Sequence, residues 1–301
     1  MFYFIKNHIS FYASSYGMNY NNVIGFLLII TFIIQFLSGL LLSLYYIDYV
    51  LFCFDSVIYI GINVNNGFII RLLHVICASL LMFLLYLHLL RYLFISIKSS
   101  SFEFSQMKKS NYVKWSGFII YFFFFFECFL GYCLPFGNMS FWGVTVILNI
   151  LSVISIIGPI LIKFIWCSSY VIINRIFIIH YAIGFLIILF IILHLILLHN
   201  LSSSSPFINI NSSLLIPFII LLFKDYFFLL FIFYYFIFLL FIEPDILGNK
   251  NNNILANSLV TPLNIIPEWY FLILYSILRA IPIKFIGAIL IIIFFVLCFI
   301  L

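Results

Sequence analysis

HVICASLLMFLLYLH (His74–His88) and HYAIGFLIILFIILH (His180–His194) decide the fold. In each stretch, thirteen residues without a formal charge separate two histidines. Such runs have the polarity of membrane helices, which need roughly 20 apolar residues to cross. Fourteen positions along an α-helix rise ~21 Å and turn ~1400°, within ~40° of whole turns. The two imidazoles of each stretch therefore share one helix face and sit about two-thirds of a bilayer apart.

The same interval recurs in glycines. Gly25 and Gly39 are fourteen apart, and so are Gly117 and Gly131. If the two histidine helices face each other, four imidazoles make two opposed pairs, and opposed imidazoles suit the axial positions of a haem iron. Glycine lets a backbone come close where a side chain would clash. Two helices with histidine pairs and two with glycine pairs describe a four-helix bundle for two stacked haems. Arg71 lies three residues before His74 and Arg91 three after His88, with Arg175 close to His180. Each can pair with an anionic propionate. Taken singly, a histidine in a span also reads as a satisfied polar group or a proton relay, and a glycine as a helix-packing site.

Composition narrows the class. The 301 residues are 67% hydrophobic and only 7% charged, too little charge to cover a soluble domain. The formal charge of +5 offers no basic stripe for nucleic acid. The six cysteines are scattered with no CxxC, which argues against a zinc site and against covalent c-type haem. The N-terminus has neither the Arg-rich amphipathic pattern of a transit peptide nor a signal-peptide cleavage site. With the bias to Phe, Ile and Asn, this fits a multispanning chain encoded in an AT-rich organelle genome.

Six spans are expected: A over 23–46, B over 67–97, C over 115–134, D over 176–200, E over 217–242 and F over 283–301. The fold class is thus all-α and polytopic, a four-helix haem bundle plus two further transmembrane helices. Residues 1–205 form the di-haem bundle and 206–301 a C-terminal membrane region. The C–D connection contains an apolar run broken at Gly158-Pro159, read as short surface helices rather than a span. The long E–F connection ends in PEWY, and long loops are often functional.

GYCLPFGNMSFWG (131–143), EPDILG (243–248), PEWYFL (267–272) and ILRAIP (277–282), together with the histidine pairs, strongly resemble the mitochondrial cytochrome b family. Its members are the central subunits of quinol–cytochrome c oxidoreductase, respiratory complex III. The resemblance covers nearly the whole chain. It implies two non-covalent b-type haems, a low-potential one on His74 and His180 near the outer face and a high-potential one on His88 and His194 near the inner face. It implies an outer quinol-oxidation site using Glu268, Tyr270, Tyr132 and Gly143. An inner quinone-reduction site would use His199, Asp225 and Ser203. Gly25, Gly39, Gly117, Gly131, Arg71, Arg91 and Arg175 would contact the haems. Ubiquinol and ubiquinone would be the substrates. One electron would leave to a Rieske iron–sulfur protein and a c-type cytochrome, and the other would pass through both haems to the inner quinone. The setting implied is a homodimeric multisubunit assembly in the mitochondrial inner membrane.

The chemistry of the residues agrees. Quinol oxidation releases two electrons and two protons, and Glu268 is an ionisable carboxyl in an apolar loop, able to take one proton. His199 and Asp225 flank the D–E connection and can supply the protons a quinone takes up.

Several positions depart from the family pattern. Phe136 stands where Trp is usual, Asn138 where Gln is common and Gly184 where a proline is usual. Ser202 replaces a glycine, and Ser204 and Ser205 replace asparagines. Glu127 lies inside span C, four residues before Gly131 and so on a similar face. It is expected to be neutral and to face the bundle near the low-potential haem. The family's pattern carries two further spans after F, whereas this sequence ends at CFIL. Two other readings compete. A di-haem carrier or anchor of another oxidoreductase would need the histidine pairs but not PEWY, and a haem-free transporter would leave the glycine spacing unexplained.

Overall fold

Residues 13–15, 24–98, 104–154, 157–165, 172–199, 215–244 and 246–300 are described in the computed structural model. Four long helices dominate: α1 (Ile24–Ser43), α3 (Gly67–Lys98), α4 (Phe104–Cys133) and α7 (Ile172–His199). Between them lie the short α2 (Cys53–Asn63), α5 (Asn138–Leu151) and α6 (Ile157–Ile165). The C-terminal part contains α8 (Phe218–Ile242), α9 (Leu272–Ala280) and α10 (Lys284–Ile300). A 3-10 turn at Trp269–Phe271 leads into α9. Ala13–Ser15 (β1) and Leu215–Pro217 (β2) pair antiparallel. The apolar run after PFGNMSFWG is divided between α5 and α6, and Gly158-Pro159 falls in the first turn of α6 rather than at the division.

The count of six spans is corrected. Among the described residues, four helices are long and apolar enough to cross a membrane: Ile24–Ser43, Gly67–Phe94, Asn111–Cys133 and Ile172–His199. The expected span E falls on α8, whose described apolar stretch is the short Leu230–Leu239. The expected span F is α10, whose 17 residues rise ~26 Å, short of the ~30 Å hydrocarbon core. Pro282 sits between α9 and α10 and divides the apolar run there.

The four long helices form two pairs. α1 packs along α3 and α4 along α7, while contact between the pairs is sparse. The pairs meet in a buried cluster that includes Phe32, Leu81, Met82, Phe124 and Ile187. The rings of Phe32 and Phe124 touch edge to face at 5.4 Å. Phe32 lies seven residues from both Gly25 and Gly39, and Phe124 seven from both Gly117 and Gly131. Leu81 and Ile187 lie midway between their histidines in the same way. The apolar plug thus sits at mid-depth, with one histidine level on either side.

Candidate functional site

Each glycine faces one histidine. A Cβ added at Gly39 would lie 2.9 Å from His74 Cε1, and one at Gly131 would lie 3.0 Å from His180 Cε1. At the other level, Gly117 meets His194 Cε1 at 3.1 Å and Gly25 meets His88 Cε1 at 3.5 Å. Electrostatic proximity couples His74 to His180 and His88 to His194. The paired levels expected from the fourteen-residue interval are therefore present, and His74, His180 and His194 each lie in a notch that a Cβ would crowd, while the one at Gly25 beside His88 is looser.

Ring orientation is set by neighbouring serines. Ser38, next to Gly39, places its hydroxyl 3.0 Å from His74 Nδ1, which also lies 3.1 Å from the Gln35 carbonyl. Ser116, next to Gly117, places its hydroxyl 2.8 Å from His194 Nδ1. Both hydroxyls donate to a backbone carbonyl of their own helix, so they accept from the imidazole N–H. With Nδ1–H engaged, the lone pair of a neutral ring is at Nε2, the tautomer a metal needs. At His74 the Gln35 amide engages Nε2 at 3.2 Å, and an iron would take its place. His88 Nδ1 is buried with no hydrogen-bond partner among the described residues. No cluster of three or more metal-binding side chains occurs among them. A haem iron asks the protein only for two axial ligands, so opposed pairs are the relevant pattern. Glycine notches, oriented imidazoles and an apolar surround fit b-type haem.

A cavity of about 290 Å³ opens at the His74–His180 level. It runs from Gly39 and Gly131 past both histidines to Tyr132, Glu268 and Tyr270. Burial pushes the Glu268 carboxyl up to about 7 and holds the Tyr270 phenol well above its ordinary value. The Tyr132 hydroxyl is buried without a hydrogen-bond partner among the described residues. Gly143 completes the group, since a Cβ there would lie 3.9 Å from the Tyr132 ring. The cavity thus joins an imidazole pair to a carboxyl poised to exchange protons near neutral pH.

The walls are tied to each other across long stretches of chain. Tyr86 of α3 donates to the Tyr270 carbonyl at 2.7 Å. Tyr46 donates to the Leu134 carbonyl at 2.7 Å. The start of α5 is held by the loop before PEWY. The Asn138 amide donates to the Ile254 carbonyl at 2.8 Å and the Ser140 amide to Asn252 Oδ1 at 2.9 Å. Phe136 adopts φ 51°, a left-handed conformation unusual for a bulky residue.

Of the arginines, Arg71 lines the cavity and reaches Asn253 Oδ1 at 3.4 Å. Arg91 lies near His88. Arg175 instead extends to the Lys163 carbonyl at 3.4 Å, away from the cavity wall. His199 ends α7 and is half-buried. Ser203 and the side chain of Asp225 lie outside the described residues. Gln35, Ser38 and Ser116 were missed in the sequence, although the Ser-Gly dipeptides at 38–39 and 116–117 were a visible signal.

Fold and site define a class: a multi-pass membrane bundle presenting two levels of paired imidazoles, with a protonatable carboxyl beside one. Residues 9–202 match the family model "Cytochrome b/b6/petB" and residues 255–301 match "Cytochrome b(C-terminal)/b6/petD". Cytochrome b of Rickettsia conorii is 37% identical, covering 96% of this chain and 72% of that protein. Cytochrome b of Phytophthora megasperma is 36% identical, covering 96% of this chain and 74% of that one. A solved chain of a hyperthermophilic respiratory Complex III superposes with TM-score 0.85 at 26% identity, over 99% of this chain and 79% of that one. The chain belongs to the cytochrome b family, homologous to the di-haem subunit of quinol–cytochrome c oxidoreductase. It is a cytochrome b-type subunit of a quinol-oxidising, electron-transferring respiratory oxidoreductase. Family membership implies b-type haem and a quinone substrate.

Proposed function

We propose that His74 with His180, and His88 with His194, hold two b haems, and that quinol is oxidised in the cavity beside the first pair. The observation that carries this is the four-fold match of one glycine notch to one imidazole, at 2.9–3.5 Å. When bound, the haems supply one-electron stations at two depths. Nδ1 anchoring by Ser38 and Ser116 presents Nε2 of His74 and His194. Arg71 and Arg91 neutralise anionic edges at opposite ends of α3. Arg175 would have to turn from Lys163 to do the same.

Glu268 takes a proton from quinol, and the buried phenols of Tyr132 and Tyr270 stay protonated and orient it. Gly143 leaves the room in which Tyr132 sits. The inner quinone site uses His199, Asp225 and Ser203, by the chemistry of proton delivery to a reduced quinone. Residues 1–205 carry the haems and 206–301 supply PEWY. The family relation and the likeness to a complex III chain support a multisubunit homodimer. Its electron acceptors are a Rieske iron–sulfur protein and a c-type cytochrome subunit, with ubiquinone as the quinone and the mitochondrial inner membrane as the site. A redox titration of the purified complex, followed optically, tests the reading. Two b-type components with separated potentials are expected; one component, or none, overturns it.

A further inference from the structure

His180 has a different neighbour at Nδ1 from His74 and His194. His74 and His194 each have a serine at Nδ1, on the residue before the facing glycine. The residue before Gly131 is Leu130, which has no hydroxyl. Instead Glu127, one turn earlier on α4, brings Oε1 to 3.0 Å from His180 Nδ1. This is hydrogen-bond distance, although the ring N–H does not point straight at the oxygen, and both Nδ1 and Oε2 are otherwise without hydrogen-bond partners among the described residues. Among those residues the carboxyl forms no ion pair with lysine or arginine. Space for it comes from Gly184, one turn beyond His180, where an added Cβ would lie 3.5 Å from Oε1. Glu127 and Gly184 are two separate departures from the family pattern; the first lies against the His180 imidazole, and the second faces the Glu127 carboxyl.

We infer that Glu127 is the positioning residue of His180, accepting its Nδ1–H and making this the more electron-rich of the two ligands at its level. The inference rests on the haem assignment above. A metal-bound imidazole donates its other N–H to an acceptor, which fixes the tautomer and raises ligand basicity. As a carboxylate, rather than the neutral acid expected from the sequence, Glu127 is a stronger acceptor than the serine hydroxyl opposite, so it favours oxidised iron and lowers the potential of that level alone. Simple filling of an apolar gap by Glu127 would leave the potential where it is.

The test is a potentiometric titration of the assembled complex carrying Glu127→Gln, Glu127→Leu or Gly184→Leu. Low-temperature electron paramagnetic resonance of the oxidised haems accompanies it. The relevant component is the one that His180→Leu removes. Its potential is expected to rise modestly with Gln, which keeps an oxygen acceptor, and further with Leu. Gly184→Leu, which crowds the carboxyl out, should move it the same way with Glu127 intact. Its low-field resonance should shift as the ring loses its anchor, while the other component keeps both values. An unmoved potential in the isosteric Gln variant and in Gly184→Leu overturns the inference, as do equal shifts in both components. Failure to find two components in the unaltered complex is a separate result, and it refutes the haem assignment instead.

Discussion

At the scale of single residues, separations of a few tenths of an ångström rank the glycines. An added methyl would sit 2.9 Å from His74 at Gly39 and 3.0 Å from His180 at Gly131, but 3.5 Å from His88 at Gly25. Real Cβ contacts rarely come under 3.0 Å, whereas 3.5 Å is ordinary contact, so Gly25→Ala should keep both b components. Gly39→Ala and Gly131→Ala should weaken or lose the component of the His74–His180 level, read as the ratio of the two haem signals in an optical redox titration. Glu268 carries a prediction in pH. Burial lifts its carboxyl to about 7, so the proton-accepting form grows as pH rises through that value. Quinol oxidation should rise with a midpoint near pH 7 and then level off. Glu268→Gln should flatten this limb and slow the step ~10²-fold, within the usual range for a positioned base. The linkage to stability has the opposite slope. The folded state holds this proton above the ordinary carboxylate value of 4.5, so its contribution is complete below 4.5 and is lost as pH rises to about 7. Thermal unfolding of the Gln variant should lack that decline.

At the scale of elements, the outer wall is stitched by side chains far apart in sequence. Gly137 approaches the loop before PEWY so closely that a Cβ would meet the Asn252 carbonyl oxygen at 2.0 Å. No flexible side chain can yield there, because the neighbour is backbone. Gly137→Ala should therefore separate α5 from that loop. Asn252→Ala should be milder, removing one hydrogen bond to the Ser140 amide, worth about 1 kcal/mol. Hydrogen exchange in peptides over 137–145 should quicken about five-fold for Asn252→Ala and far more for Gly137→Ala. The four long helices and their histidine–glycine register were readable from sequence because a 3.6-residue period fixes which positions share a face. The Asn252 stitch and the left-handed Phe136 were not, since neither leaves a periodic local signal. Spans E and F were overcounted because apolar composition alone was read as a span, while the described apolar stretch of E is the short Leu230–Leu239 and the 17 residues of F rise only ~26 Å. Glu127 was placed correctly toward Gly131 by its four-residue offset, but its partner on α7 lies 53 positions away and only packing reveals it.

At the scale of the whole molecule, two helix pairs meet chiefly at the mid-depth plug of Phe32, Leu81, Phe124 and Ile187. Above and below the plug, the facing imidazoles belong to opposite pairs: His74 and His88 to α3, His180 and His194 to α7. Any group ligated across a level therefore ties one pair to the other, and a ligand that binds only the folded state stabilises it by mass action. The plug also makes the levels separable, because no notch or anchoring serine is shared between them. His194→Leu should abolish one b component and leave the potential of the other nearly unchanged, with the membrane helices still inserted. Its complex should unfold at a lower temperature than the parent and resist protease less, but more than a chain made under haem starvation, which lacks both cross-ties. Phe124→Ala attacks the third tie. It removes the ring that Phe32 packs against, a loss of ~3–5 kcal/mol for a buried Phe, with both histidine levels chemically intact. Limited proteolysis and thermal scans of the four preparations should rank them by the number of ties that remain. Equal resistance in the parent and the haem-starved chain would mean that the pairs hold together without help from the histidine levels.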